Sequence, residues 1–186
     1  MARVTVTPEA FALVFFDHAR LVELVAEVCD AVGLPADLPV ELAVNEASPL
    51  GKVALTSLDP VRLSVEGGAL ENAKQLRHMS EASVRDVCGR WMLRVKDRLS
   101  PGFAGAPADG DLTLPQATAW DVNCVGRAAT LGLAGQKARR LYNFRNRHGF
   151  TDVADAVFER LWTSDGLTWA DIEAACAETA EATAAA

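Results

Sequence analysis

Apolar residues recur every three or four positions through the first part of the chain. Phe11, Phe15, His18, Leu21 or Val22, Val25, Cys29 and Val32 form one stripe, with Arg20, Glu23, Glu27 and Asp30 off it. This spacing predicts an amphipathic helix over 8–32. Thr7 is its expected cap, Pro8 suits the first helical position, and Gly33 before Leu34-Pro35 supplies the stop. The period then changes to two. Val40, Leu42 and Val44 alternate with Glu41, Ala43 and Asn45; Val53 and Leu55 alternate with Lys52, Ala54 and Thr56; Val61, Leu63 and Val65 alternate with Arg62, Ser64 and Glu66. Three strands with one apolar face each predict a small antiparallel sheet covered by helices on one side. Ser48-Pro49-Leu50-Gly51 and Ser57-Leu58-Asp59-Pro60 read as the turns between them, and Gly67-Gly68 closes the set.

A second helix is expected from Ser80, its cap, to Leu99, with Val84, Val87, Cys88, Trp91, Val95 and Leu99 on its stripe. Glu81 and Arg85, like Asp86 and Arg90, stand four apart in the favourable order. Residues 100–115 hold three Pro and three Gly with no long apolar run, which reads as a linker over 100–116. Four helices are expected beyond it: Ala117–Leu131, Ala134–His148, Thr151–Trp162 and Thr168–Thr179, with Gly132, Gly149 and Gly166 in the breaks. Thr168 and Asp171 have the spacing of a capping box. The fold class is therefore α+β: a three-stranded antiparallel sheet with two long helices over 1–99, then a helical subdomain over 117–186, packed on that core.

Charge changes this picture at one place. Residues 122–151 contain no acidic side chain but carry Arg127, Lys137, Arg139, Arg140, Arg145 and Arg147. The chain has 186 residues and a formal charge of −7; setting these six cations aside leaves −13 on the rest. Tyr142, Phe144 and Phe150 are interleaved with the cations. On a helical wheel Arg139, Arg140, Asn143 and Arg147 share one side, opposite Ala134, Ala138, Leu141, Phe144 and His148. Clustered guanidinium groups beside an amide suit charge-assisted hydrogen bonds to carboxylates or phosphates. The same charges also suit internal pairing. Arg145, Arg147 and His148 sit at a helix C-terminus, and Asp152, Asp155 and Glu159 follow on the next helix.

Other chemistry finds less support. A DNA-reading helix-turn-helix would place Asp152, Asp155 and Glu159 against the major groove, so sequence-specific DNA binding is not expected. His18, His78 and His148 have no i, i+4 pairing, so the sequence implies no metal site and names no cofactor. Cys29, Cys88, Cys124 and Cys176 are too widely spaced for a C-x-x-C pair and read as buried free thiols. There is no signal peptide pattern and no run of membrane-spanning length, which points to a soluble cytoplasmic protein. Glu41 and Glu66, with Glu46 at the strand end, lie on the polar side of the expected sheet and could serve an enzyme if two came together and one were buried.

Two short resemblances complete the reading. Leu42-Ala43-Val44-Asn45-Glu46-Ala47 resembles the N-box helix of histidine-kinase-type ATPases, without the accompanying D-x-G-x-G element. The order helix, strands, helix is similar to the small zincin-like metalloproteases. Where their zinc helix carries H-E-x-x-H, this chain reads Val87-Cys88-Gly89-Arg90-Trp91-Met92-Leu93, so neither zinc nor peptidase chemistry is implied. The expectation that emerges is a non-enzymatic binding protein. It would meet an acidic protein or an anionic small ligand through Arg139, Arg140, Asn143 and Arg147. The alternative is a small enzyme using the sheet carboxylates. The sequence leaves the oligomeric state open.

Overall fold

The structure is a computed structural model that describes residues 2–133 and 135–185. It is mixed α and β, and the chain divides into two compact units, Met1–Val95 and Lys96–Ala186.

The first unit contains β1 (Arg3–Thr7), α1 (His18–Val32), β2 (Pro39–Asn45), β3 (Val53–Leu58), β4 (Val61–Glu66), the short hairpin β5 (Glu71–Asn72) and β6 (Gln75–Met79), and most of α2 (Glu81–Arg98). The main sheet has the order β1-β2-β4-β3. β1 pairs parallel with β2, setting Val6 beside Leu42, and β2 pairs parallel with β4, setting Leu42 beside Leu63. Within this sheet, only β3 and β4 pair antiparallel. The expected three-stranded antiparallel meander is thus replaced by a four-stranded mixed sheet. Alternation identified the buried face of β2 and β4, where Val40, Leu42, Val44, Val61, Leu63 and Val65 are all buried. It did not identify that of the edge strand β3, where Val53 and Leu55 are only half-buried, like their neighbour Ala54. It carries no information on direction or neighbour order, because a period of two is the same in either pairing. β1-α1-β2 is a parallel strand–helix–strand unit, and β4 inserts between β2 and β3.

α1 starts at His18, not at Pro8. Asp17 caps it by accepting from Arg20 N at 3.0 Å, and Gly33 ends it in the left-handed region at φ 77°. Thr7 is instead the last residue of β1. Tertiary partners take the backbone groups that a longer helix would have used. Glu46 Oε2 accepts from Ala12 N at 2.8 Å and Leu13 N at 2.6 Å, while Phe15 N donates to Arg77 O at 2.7 Å. The rings follow: Phe11 packs edge-on against Phe16, and Phe15 stacks on His78 with centroids 4.8 Å apart. The helical spacing of Phe11 and Phe15 is therefore coincidental.

Ion pairs align α1 with α2. Arg20 holds Glu81 at 2.8 Å, Arg85 holds Glu27 at 3.0 Å and Glu81 at 2.9 Å, and Arg20 also reaches Glu27 at 3.1 Å. Partners advance together along both helices, so the two run side by side in the same direction. Beneath this rim Cys29 and Cys88 are buried, and burial pushes both thiols up to about 12. Ser80 accepts from Ser83 N at 3.2 Å, as its expected role as the α2 cap requires.

The second unit contains α3 (Leu114–Thr130), α4 (Lys137–His148), α5 (Asp152–Thr163) and α6 (Trp169–Ala184). α3 is central and packs against the other three. It begins earlier than expected, because Thr113 and Gln116 form a capping box with Pro115 in the first turn. Thr151 caps α5, and Thr168 with Asp171 forms the expected capping box of α6. The expected start of α4 at Ala134 lies outside the described residues. Residues 100–116 carry a short 3-10 turn, Pro101–Phe103, whose buried Phe103 stacks on Trp120 at 4.7 Å. α3 and α5 approach closely at Gly126, where a Cβ would stand 2.1 Å from Trp162 O. Asn123 supports the same contact, its Nδ2 donating to Leu161 O and Ser164 O at 2.9 Å each. Among the described residues no helix is long and apolar enough to cross a membrane.

Candidate functional site

The acid-free stretch divides into cations that are paired and cations that are not. Arg127 Nη2 lies 2.6 Å from Asp97 Oδ2 in the interior of the second unit. Lys137 Nζ is 2.7 Å from Glu159. Arg145 grips Asp155 with Nε at 2.7 Å from Oδ1 and Nη2 at 2.5 Å from Oδ2. These hydrogen bonds hold the Asp155 carboxyl below its ordinary range. At least three of the six positive charges thus serve internal pairs among the described residues, two of them with the acids of the following helix.

The solvent side of α4 is different. Arg139 and Arg147 are exposed and have no ion-pair partner among the described residues; Arg139 makes only a 3.4 Å hydrogen bond to the Gln136 side chain. With Asn143, also exposed, they stand at i, i+4 and i+8 and so line up along one side of the helix. The adjacent row holds Tyr142 and Asn146 and leads to Phe150. Tyr142 is 60% and Phe150 66% exposed, and their rings meet edge to face at 6.3 Å. Arg140 borders this face but is half-buried and engaged within the protein.

The opposite side of α4 anchors it. Phe144 is buried, stacks on His148 at 3.9 Å and meets Phe158 edge to face. His148 is buried between Thr179 Oγ1, 2.8 Å from Nδ1, and Pro115 O, 3.1 Å from Nε2. Burial lowers its pKa below the ordinary imidazole value, and the carbonyl contact partly opposes that. Gly149, at φ 93°, then turns the chain beside Thr183. The exposed face is therefore carried on a helix fixed from behind.

The sheet carboxylates do not come together. Glu41 pairs with Arg62 Nη2 at 2.6 Å across β2 and β4, and Glu66 accepts from Asn45 Nδ2 at 2.9 Å. In register these pairs are four residues apart, about 13 Å along the strands. Glu46 serves as the anchor of residues 12 and 13. Leu42-Ala43-Val44-Asn45 is strand, not an N-box helix. Among the described residues no three His, Cys, Asp or Glu side chains converge as metal ligands do.

Sequence reasoning missed the buried polar cluster of the second unit. Asp97 accepts from both Arg127 terminal nitrogens, from Trp120 Nε1 at 2.8 Å and from Cys124 Sγ at 3.7 Å. One signal was available. An acidic residue in the last turn of a helix opposes the helix dipole, and so implies a positive partner elsewhere.

No family model, curated protein or solved structure matches this chain.

Proposed function

We propose that this protein is a binding module that recognises an acidic protein segment through the solvent face of α4. Arg139 and Arg147 would hold carboxylates, with Asn143 and Asn146 as hydrogen-bonding groups and Tyr142 and Phe150 as the apolar contact. The observation that carries this reading is the division of charge on one short helix. Lys137 and Arg145 go to Glu159 and Asp155, whereas exposed Arg139 and Arg147 keep no ion-pair partner among the described residues beside an exposed aromatic pair. Tyr and Arg are enriched at interface hot spots because each combines contact area with a directional polar group. A protein segment suits the face better than a polyphosphate. Two arginines give a short cationic track, and the chain around them is acidic overall, at −7.

The test is fluorescence anisotropy with a labelled peptide rich in Glu, Asp and Leu, beside a labelled oligothymidylate. Saturable peptide binding is expected, weakening as salt rises. The Arg139→Glu/Arg147→Glu variant should bind at least about tenfold more weakly with an unchanged circular dichroism spectrum. Undiminished peptide affinity in that variant sinks the proposal, as does tighter binding of the oligonucleotide.

A further inference from the structure

The first unit carries an open cleft of about 200 Å³ bounded by residues 13 and 14, the β2–β3 connection and the β5–β6 hairpin. One wall is apolar, made by Leu13, Val14 and Pro49; the charged groups are Glu46, Glu71 and Arg77. Leu13 is 52% exposed, an apolar side chain held open to water by the grip of Glu46 on its backbone N–H. Arg77 is held in the left-handed region at φ 64°, inside a strand, with its carbonyl tied to Phe15 N at 2.7 Å. Residues other than Gly, Asn and Asp rarely adopt this conformation, and it recurs at ligand clamps. Although two carboxylates line the same cleft, Arg77 forms no ion pair among the described residues.

We infer that this cleft binds a free α-amino acid with an apolar side chain. Its carboxylate would meet the Arg77 guanidinium, its ammonium the carboxylates of Glu71 and Glu46, and its side chain the wall of Leu13, Val14 and Pro49. The mixture of groups sets the ligand class. A simple anion meets two carboxylates, a simple cation meets a guanidinium, and neither uses the apolar wall. A small zwitterion with an apolar tail satisfies all three. The volume, below the roughly 300–1,000 Å³ of drug-sized sites, limits the ligand to a small metabolite. The site lies wholly within the first unit and uses none of the α4 residues, so it does not rest on the proposed role of that helix.

The experiment is an amide NMR titration of the full chain with L-leucine, 3-methylbutylamine, which lacks the carboxylate, and 4-methyl-2-oxopentanoate, which lacks the ammonium. L-Leucine should shift the amides of Leu13, Val14, Glu71 and Arg77 saturably, and each analogue should bind at least about tenfold more weakly. Arg77→Asn tolerates the left-handed conformation and should keep the fold while abolishing leucine binding. Glu71→Gln should weaken leucine several-fold and leave the keto acid unaffected or slightly favoured. The inference is overturned by unshifted amides at millimolar L-leucine, by equal binding of either analogue, or by unchanged affinity in both variants.

Discussion

Arg127 meets Asp97 as a two-pronged ion pair, Nη1 to Oδ1 at 2.9 Å and Nη2 to Oδ2 at 2.6 Å, with side chains only 14% and 7% exposed. The pair ties α3 to the last turn of α2, and Trp120 donates a further bond to the same carboxylate. Asp97→Asn strands the guanidinium without its counter-charge and should destabilise the protein by about 3–5 kcal/mol. Replacing both partners, as Asp97→Leu with Arg127→Met, should cost less than the single change, because no buried charge is left over. Urea unfolding of the three variants measures this. A loss under about 1 kcal/mol for Asp97→Asn would show that the pair contributes little.

His148 gives stability a pH dependence of known sign. Its folded pKa is depressed by burial, so the unfolded chain takes up a proton first as pH falls. The stabilisation is complete above the ordinary imidazole value near 6.5 and is lost as pH drops from there through the folded pKa. The slope from this one group is at most about 1.4 kcal/mol per pH unit. Urea titrations between pH 8 and pH 5 should show the decline, and His148→Gln should remove that component. An equal decline in the variant would place the titrating group elsewhere.

The α3–α5 approach leaves no room for a side chain at residue 126. Gly126→Ala would push a methyl into Trp162 O, so the helices must separate, and a loss of about 1–3 kcal/mol or more is expected. Asn123→Ala strips one buried and one part-buried carbonyl of their donor and should cost about 1–3 kcal/mol. Thermal unfolding followed by circular dichroism reads both; a Gly126→Ala protein as stable as the parent would contradict the contact.

Glu46 acts locally. Glu46→Ala removes the acceptor of the Ala12 and Leu13 amides, so hydrogen exchange at those two positions should speed at least about tenfold. Exchange at buried Val40, Leu42 and Leu63 should hardly change. Equal acceleration throughout the sheet would instead make Glu46 a determinant of global stability.

Much of this was legible without coordinates, for definable reasons. The faces of β2 and β4, the extent of α2, the capping box of α6 and the breaks at Gly149 and Gly166 all follow from local chemistry that acts within a few residues. β1 was not legible, since Arg3–Thr7 is short and its partner lies past an entire helix. Nor was the β5–β6 hairpin, whose residues 71–79 show no apolar alternation. At the candidate face, spacing alone placed Arg139, Asn143 and Arg147 together. The engagement of Arg140, and the capture of Lys137 and Arg145 by Glu159 and Asp155, depended on how the helices pack.

By itself, then, the sequence determined which residues turn inward and where the longer helices stop, because periodicity, capping and glycine conformations are properties of neighbouring residues. The tertiary structure decided strand direction and order, the start of α1 and the division of the cations into paired and unpaired. Each of these is a competition between partners distant in the chain. Asp17 caps α1 while Glu46 and Arg77 claim the amides before it, and Asp97 claims Arg127 from another helix. No local pattern records the outcome of such a competition.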